Sequence, residues 1–507
     1  MPKSYRPWAP TQSYLLPPSP LEWLPKDHLA YFVLDLVSQL DLSAIEARIE
    51  DKDPRGERPY APGMMLALLL YGYAVGVYSS RRIARATYED VAFRVLSGDT
   101  HPFFTTINLF RLQHREAIGD LFVQVLRLCT KAGLVKLGLI ALDGTKIKAA
   151  ASKHRAMSHE RMLEEEARLK AEVDGLLARA DETDAREDEE HGIGEDAVDI
   201  PAELARREAR LEVIRAAREA LEREAAEARA QQLREQAEAL EKTAADESLP
   251  SKHRRLAATL ARNALDKSRT LAPRNDDDDE PPGAPTDMPS HEVPATPAGK
   301  PKPTAQRNFT DPDSRIMVKD GAFVQAYNAQ AVVDAEHQII LAHGVGNQAP
   351  DVQYFIPMVE RLLHHCAVGS GTTLLADSGY MSEANVRHAE QRQVDVLVSV
   401  GRRRPKHATD AWSAMNDKLA RPQARAAYAR RKVIAEPPFG QIKEVRGFRR
   451  FSMRGLAKSG FEWAFVCLAH NALKLFRALA KPLHPEPGAG GHSRGIAGIA
   501  TGAWQPA

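Results

Sequence analysis

Two short apolar runs, each ending in an aspartate followed by small residues, constrain this chain more than any other feature. Gly138-Leu139-Ile140-Ala141-Leu142 delivers Asp143-Gly144-Thr145, and Thr372–Ala376 delivers Asp377-Ser378-Gly379-Tyr380. Apolar runs this short read as strands buried on both faces, and a carboxylate where such a strand stops is a frequent active-site layout in α/β sheets. Singly, each aspartate is as well explained by a turn, since Asp-Gly is a common turn pair. Their shared context in neighbouring strands of one inferred sheet favours a site.

What surrounds these runs sets the fold class. Residues 1–130 read as helical: Leu21 to Ile49 has apolar residues at helical spacing, and Gly63–Tyr78 follows a Pro62-Gly63 start signal. That run is shorter than the ~20 residues a membrane span needs and leads into Ser79-Ser80-Arg81-Arg82, so a buried helix is expected and no membrane partner. Shorter helical segments follow, Ser79–Leu96 and Thr105–Leu128, broken by Gly98 and Pro102. Their arginines (Arg81, Arg82, Arg85, Arg94, Arg111) fit either a helix-turn-helix-like DNA reader or an ordinary helical domain with solvated arginines.

Residues 158–270 are rich in Ala, Glu, Arg and Leu without a lasting heptad register. Long helices are expected there, arranged as an antiparallel hairpin, with a break at His191-Gly192-Ile193-Gly194 and a restart at Pro201. Segment 271–306, with Asp276–Glu280 and many prolines, reads as a disordered linker, and 481–507 as a disordered tail. Beyond Arg307, Phe323–Asp334 and Gln338–Val345 form a strand hairpin. Asp351 caps a helix through Cys366, a helix spans Ser382–Arg392, and a strand spans Val394–Val400. An antiparallel meander followed by parallel strands is the order of an RNase H-like fold. The expected architecture is therefore an α/β RNase H-like core (131–157 and 307–480), a helical N-terminal domain, and a long helical, coiled-coil-like insertion after the first core strand.

Charge at first argues against a nucleic-acid partner, because 69 Lys+Arg balance 68 Asp+Glu to a net of +1. The average hides a segregation. Glu160–Asp246 carries 27 acidic and 14 basic residues, whereas Gly401–Gly455 carries 15 basic and 4 acidic. The three cysteines, Cys129, Cys366 and Cys467, form no zinc or disulfide spacing and suit a reducing cytosol. No continuous apolar stretch near the N-terminus reads as a signal peptide. Asp311, Asp313 and Asp320 read as turn residues, and His343, His364 and His365 lack ligand partners.

The chain resembles the DDE-class transposases of bacterial insertion sequences, in the group carrying a Y-x2-R-x3-E-x6-K signature. The resemblance rests on Leu142–Lys146, Tyr327-Asn328-Ala329-Gln330, Ala376–Tyr380, Glu436–Lys443 and Arg446–Phe451. It implies divalent-metal-dependent cleavage and strand transfer at element ends, with Mg²⁺ (or Mn²⁺ as substitute) held by Asp143, Asp377 and Glu436. Terminal inverted repeats and target DNA are the implied partners, bound by a homodimer or higher oligomer in the bacterial cytoplasm. Tyr428, Arg431, Lys432, Lys443, Arg446, Arg449, Arg450 and Arg454 are the candidate DNA contacts, with Phe448 and Phe451 interleaved to stack on an unpaired base.

Glu436 and Lys443 keep the six-residue gap, but four residues separate Arg431 from Glu436 where the signature has three. Arg431 and Lys432 thus both remain candidates for the family arginine. Because Pro437-Pro438 follow, Glu436 is expected at a helix boundary, with Phe439–Lys443 in the next helix. Three other readings stay open: an RNase H-fold nuclease without strand transfer, a catalytically inactive transposase-derived DNA-binding protein, and a coiled-coil scaffold. The last leaves the aspartates unexplained.

Overall fold

The computed structural model describes residues 19–50, 58–187, 200–272, 287–319, 321–401 and 409–480. Its first third is helical: α1 (Leu29–Ser38), α2 (Ser43–Glu50), α3 (Pro62–Val75), α4 (Ser80–Glu89), α5 (Val91–Ser97), α6 (Phe104–Gln113) and α7 (Arg115–Lys131). Proline sits in the first turn of α3, where its missing N–H costs nothing, and the side chains Met65–Ala74 are buried all round. Gly76 ends this helix at φ 83°, where an added Cβ would lie 2.6 Å from the Arg446 carbonyl oxygen, so only glycine fits.

A six-stranded sheet follows, from β1 (Leu139–Lys148); β2 (Ala156–Ser158) and β3 (Gln306–Asn308) form a separate two-stranded ladder. Between those two strands lie α8 (His159–Glu187), α9 (Ile200–Ala245) and α10 (Ser251–Leu271). Next come β4 (Arg315–Lys319), β5 (Ala322–Asp334), β6 (Ile340–Gly346), α11 (Phe355–His365), β7 (Thr373–Ala376), α12 (Glu383–Gln391) and β8 (Asp395–Val398). Helices α13 (Asp410–Ala420), α14 (Pro422–Ala429), α15 (Arg431–Gly440) and α16 (Leu456–Ala480) complete the chain, with a π-helical turn at Gln441–Val445.

The large sheet runs β8-β7-β1-β5, and β4 and β6 share the far edge of β5. Strand β1 is parallel to β7 but antiparallel to β5. Helix α16, buried along most of its length, packs against α3, α7 and β6 and joins the N-terminal helices and the sheet into one apolar core. Two polar residues on it serve the sheet: Trp463 donates to the Gln330 carbonyl at 3.0 Å, and Asn471 bonds both the N–H and the C=O of Ile340. Buried Glu462 accepts from Tyr73 and from the Ser452 and Met453 amides.

Several expectations meet a different structure. The helical arm has three helices where a hairpin was expected, because Asp246 accepts from Ser248 to form a turn and Pro250 opens α10. The expected break at 191–194 lies outside the described residues, as do 273–286 of the expected linker and the 481–507 tail. Within that linker, 287–306 is packed: Val293 and Ala305 are buried against Leu221 and Ala225 of α9. Asp311 is buried, accepting from Tyr327 at 2.7 Å and from the Gly455 amide at 3.0 Å, so it ties β5 to the start of α16. Asp320 lies outside the described residues. Arg111 is also buried, donating to the Tyr73 hydroxyl at 2.9 Å, and is no part of a DNA-reading surface. Among the described residues, no single helix is long and apolar enough to cross a membrane.

Candidate active site

The site forms where pairing between β1 and β7 stops. Ala141 is level with Leu375; Asp143 lies two residues beyond that last pair, and Asp377 follows the end of β7, close enough that its charge acts on the Asp143 carboxyl. The expected end of the first strand is an end of pairing only: β5 continues to pair β1 through Lys148, so Asp143 is internal to β1. Beyond Ala376 the chain turns away, with Asp377 Oδ1 accepting from the Gly379 amide at 2.8 Å. That local bond fixes the carboxylate.

Asp143 is mostly buried, and its Oδ2 accepts from Arg431 Nη1 at 3.2 Å. Burial pushes its carboxyl above the ordinary aspartate value, opposed by Arg431 and the Gly144 amide and reinforced by the charges of Asp377 and Asp351. The next residue on that face of β1, Thr145, accepts from Lys443 Nζ at 3.0 Å. Arg431 and Lys443 thus stand side by side over Asp143 and Thr145, delivered by α15 and the π-helical turn.

The opposite face of β1 carries a second polar cluster that the sequence did not single out. Asp351 was expected to cap a helix, yet its side chain makes no capping bond. It accepts from Lys146 Nζ at 2.9 Å, Asn328 Nδ2 at 2.6 Å and Gln330 Nε2 at 3.1 Å. Three such donors in one place leave no reason for the carboxylate to turn back onto its own helix. Gly144 separates the two clusters, and a Cβ there would fall 2.3 Å from Gln330 Nε2, so the close approach requires glycine. The buried Tyr380 hydroxyl donates to Gln330 Oε1 and is held far above its usual range by burial and then by Asp351, Asp143 and Asp377. One signal of this cluster was legible: Asn328 and Gln330 are polar residues two apart in a mostly apolar strand, and so share a face.

Glu436 is placed differently from expectation. Helix α15 runs straight through Pro437 and Pro438, so Glu436 is inside a helix and not at its boundary. The prolines are tolerated because the carbonyl Pro437 leaves without its helical partner, that of Val433, accepts from Gln338 Nε2 at 3.4 Å. The inward face of α15 carries Arg431, Ile434, Ala435 and Phe439, whereas Lys432 and Glu436 are exposed. Arg431, not Lys432, is therefore the basic residue that touches Asp143. Among the described residues, no three His, Cys, Asp or Glu side chains are gathered closely enough to hold a metal ion.

The basic candidates also divide. Lys432, Arg449, Arg450 and Arg454 are exposed; Arg449 pairs with Glu444, and Arg454 donates to the Ala150 carbonyl at 3.4 Å. Tyr428 is half-buried and lies near Arg431. Arg446 is buried. Phe448 and Phe451 are each 1% exposed and pack edge-to-face on one another, with Tyr78 and Tyr327 beyond. They are core residues, which overturns the expectation that they stack on a base.

Comparison with known proteins finds transposases. A family model described as a transposase DDE domain matches residues 290–472, and one described as a transposase domain matches residues 19–113. The transposase for insertion sequence element IS1106 of Neisseria meningitidis serogroup B is 25% identical over 174 residues, which are 34% of this chain and 54% of that protein. The chain thus spans about half the length of that curated relative. No solved structure matches. Together these findings support a DDE-class insertion-sequence transposase.

Proposed function

We propose that this chain cuts DNA at the ends of an insertion sequence and joins it to target DNA by divalent-metal-dependent phosphoryl transfer. The observation that carries the reading is the pair Asp143 and Asp377, brought together where the parallel pairing of β1 and β7 ends, with a guanidinium seated on Asp143. The RNase H-like character of the core is supported by its strand order, a three-strand antiparallel meander with two parallel strands on the other side of β1.

The donor chemistry fits Mg²⁺ or Mn²⁺: hard oxygen donors, with one or two protein carboxylates supplemented by water and substrate phosphate. Asp143 and Asp377 would hold the ion, and Arg431 marks the same place as favourable to positive charge. When bound, such an ion polarises a phosphoryl oxygen and makes water or a 3′-hydroxyl a stronger nucleophile. Asp143 and Asp377 supply fixed negative charge, Lys443 neutralises phosphate beside Thr145, and Lys432, Arg450 and Arg454 hold the backbone in a salt-dependent way. Glu436 is the proposed third carboxylate. It reaches the pair only if α15 turns, a motion that requires Arg431 to leave Asp143. A homodimer or higher oligomer on the two element ends completes the reading.

The test is cleavage of DNA bearing the element ends with Mg²⁺ or Mn²⁺, repeated with Asp143→Ala, Asp377→Ala and Glu436→Ala. The reading expects all three variants to bind DNA and none to cut. Normal cutting by Glu436→Ala would remove that residue from the triad. Cutting without joining to target DNA would favour a nuclease.

A further inference from the structure

On the other side of the π-helical turn from Lys443 lies a cavity of about 190 Å³, bounded by the end of α3, the turn and the His470–Arg477 stretch of α16. By volume it would hold roughly six waters, at about 30 Å³ each, which is ample for a tetrahedral anion. Its polar walls are all basic or neutral: Arg446, Lys474, Arg477, His470 and Gln441. Among the described residues, none of these three cations is paired with a carboxylate.

The details point to a missing ligand. Arg446 is 9% exposed, and its Nη1 is buried without a hydrogen-bond partner. Its Nη2 meets only the His470 ring at 3.2 Å. A guanidinium buried in this way ordinarily has an acid to pair with, because an uncompensated buried charge is strongly destabilising. Lys474 donates to Gln338 Oε1 at 2.9 Å, and burial followed by the charges of Arg477 and Arg446 pushes its ammonium down to about 8. His470 is held neutral, pushed down to about 3 by burial and Arg446. The cavity is thus a set of positive groups that repel one another around an opening sized for an anion.

We propose that this cavity binds a phosphate group through Arg446, Lys474 and Arg477. A phosphate presents several acceptor oxygens to a guanidinium fork and an ammonium together. The π-helical turn is the shared wall: Lys443 faces Thr145 in the active site, while Arg446, one residue past the turn, faces the cavity. The phosphate comes either from the backbone of bound DNA or from free phosphate or a nucleotide. The proposal does not rest on the transposase reading.

Calorimetric titration of the full chain with inorganic phosphate tests it, together with Tm in the presence and absence of phosphate. Wild type is expected to bind and to melt at higher temperature with phosphate. Arg477 is exposed, so Arg477→Ala should stay folded by circular dichroism and bind at least tenfold more weakly. Arg477→Glu would provide the missing acid: its Tm should exceed that of wild type without phosphate and cease to respond to it. The source is read from duplex DNA binding against salt. If the backbone supplies the phosphate, Arg477→Ala lowers the slope of log K against log salt by about 1. An unchanged slope, with phosphate binding lost, assigns a free phosphate or nucleotide. Phosphate binding equal in wild type and both variants overturns the proposal. So does a wild type that binds no phosphate and whose DNA slope is unaffected by Arg477→Ala.

Discussion

The sheet that carries Asp143 and Asp377 and the three-helix arm between β2 and β3 are held together by different forces. Around the sheet, Trp463, Phe465, Tyr380 and Tyr354 are buried in a core that also includes the N-terminal helices. Among the described residues, the arm has only small clusters: Met162, Leu169 and Ile214; Leu221 and Ala225; Leu233, Ala237, Ala261 and Ala264. Between these run ion pairs, Glu165 with Arg168 and Arg210, and Glu166 with Arg215 and Arg218. Apolar burial is insensitive to salt, whereas partly exposed ion pairs are screened by it. A rigid sheet suits a site whose carboxylates must be fixed; an arm built on alanine and ion pairs can open without disturbing it.

The largest effect expected on either side of this contrast is chemical. Asp143→Ala or Asp377→Ala should lower DNA cleavage roughly a thousandfold, equivalent to several kcal/mol of lost charge stabilisation. Tm should be nearly unchanged in Asp377→Ala, whereas Asp143→Ala leaves Arg431 unpaired and should lower it. Next comes packing. Trp463→Ala should cost about 3–5 kcal/mol and lower the melting of the whole sheet core. Leu221→Ala in the arm should cost about 2–4 kcal/mol, read as an early loss of helical signal while cleavage persists. A single cooperative transition in both variants would show that arm and sheet are one unit. Third, 1 M salt or Glu166→Gln should loosen the arm by about 1 kcal/mol or less and leave the sheet's near-ultraviolet dichroism unchanged.

The smallest contrast is in pH. His291 and His470 are pushed down to about 4 and about 3 by burial, so the unfolded chain takes up protons the folded one refuses. Their contribution is present above pH 6.5 and is lost as pH falls below it. In the arm, burial raises Glu166, but Arg215 and Arg218 outweigh this and hold it below the ordinary 4.5. That contribution is lost only as pH falls through 4.5 and below. Acid titration should therefore weaken the sheet core before the arm, and His470→Gln should narrow the gap.

How much of the site was legible depended on the range of the forces involved. Asp143 and Asp377 could be picked out because strand burial and the following glycine are local properties of the chain. Asp351 could not, because Lys146, Asn328 and Gln330 reach it from β1 and β5, and its own neighbourhood reads as a helix start. Glu436 was read correctly as next to a proline pair but wrongly as a boundary, since Gln338 on the β5–β6 turn satisfies the carbonyl that Pro437 leaves bare. Phe448 and Phe451 look in sequence like aromatics among arginines; Tyr78 and Tyr327, far away in the chain, bury them.

Periodicity, apolar runs and charge segregation determined the element order, the two aspartates and the division between an acidic helical arm and a basic C-terminal stretch, because each depends on residues close in sequence. Only the tertiary structure decided which basic residue meets Asp143, which face of α15 turns inward, and which arginine is enclosed. Those outcomes depend on register between strands and on helices packed from opposite ends of the chain. A shift of one residue, or 100° around a helix, exchanges a buried partner for solvent.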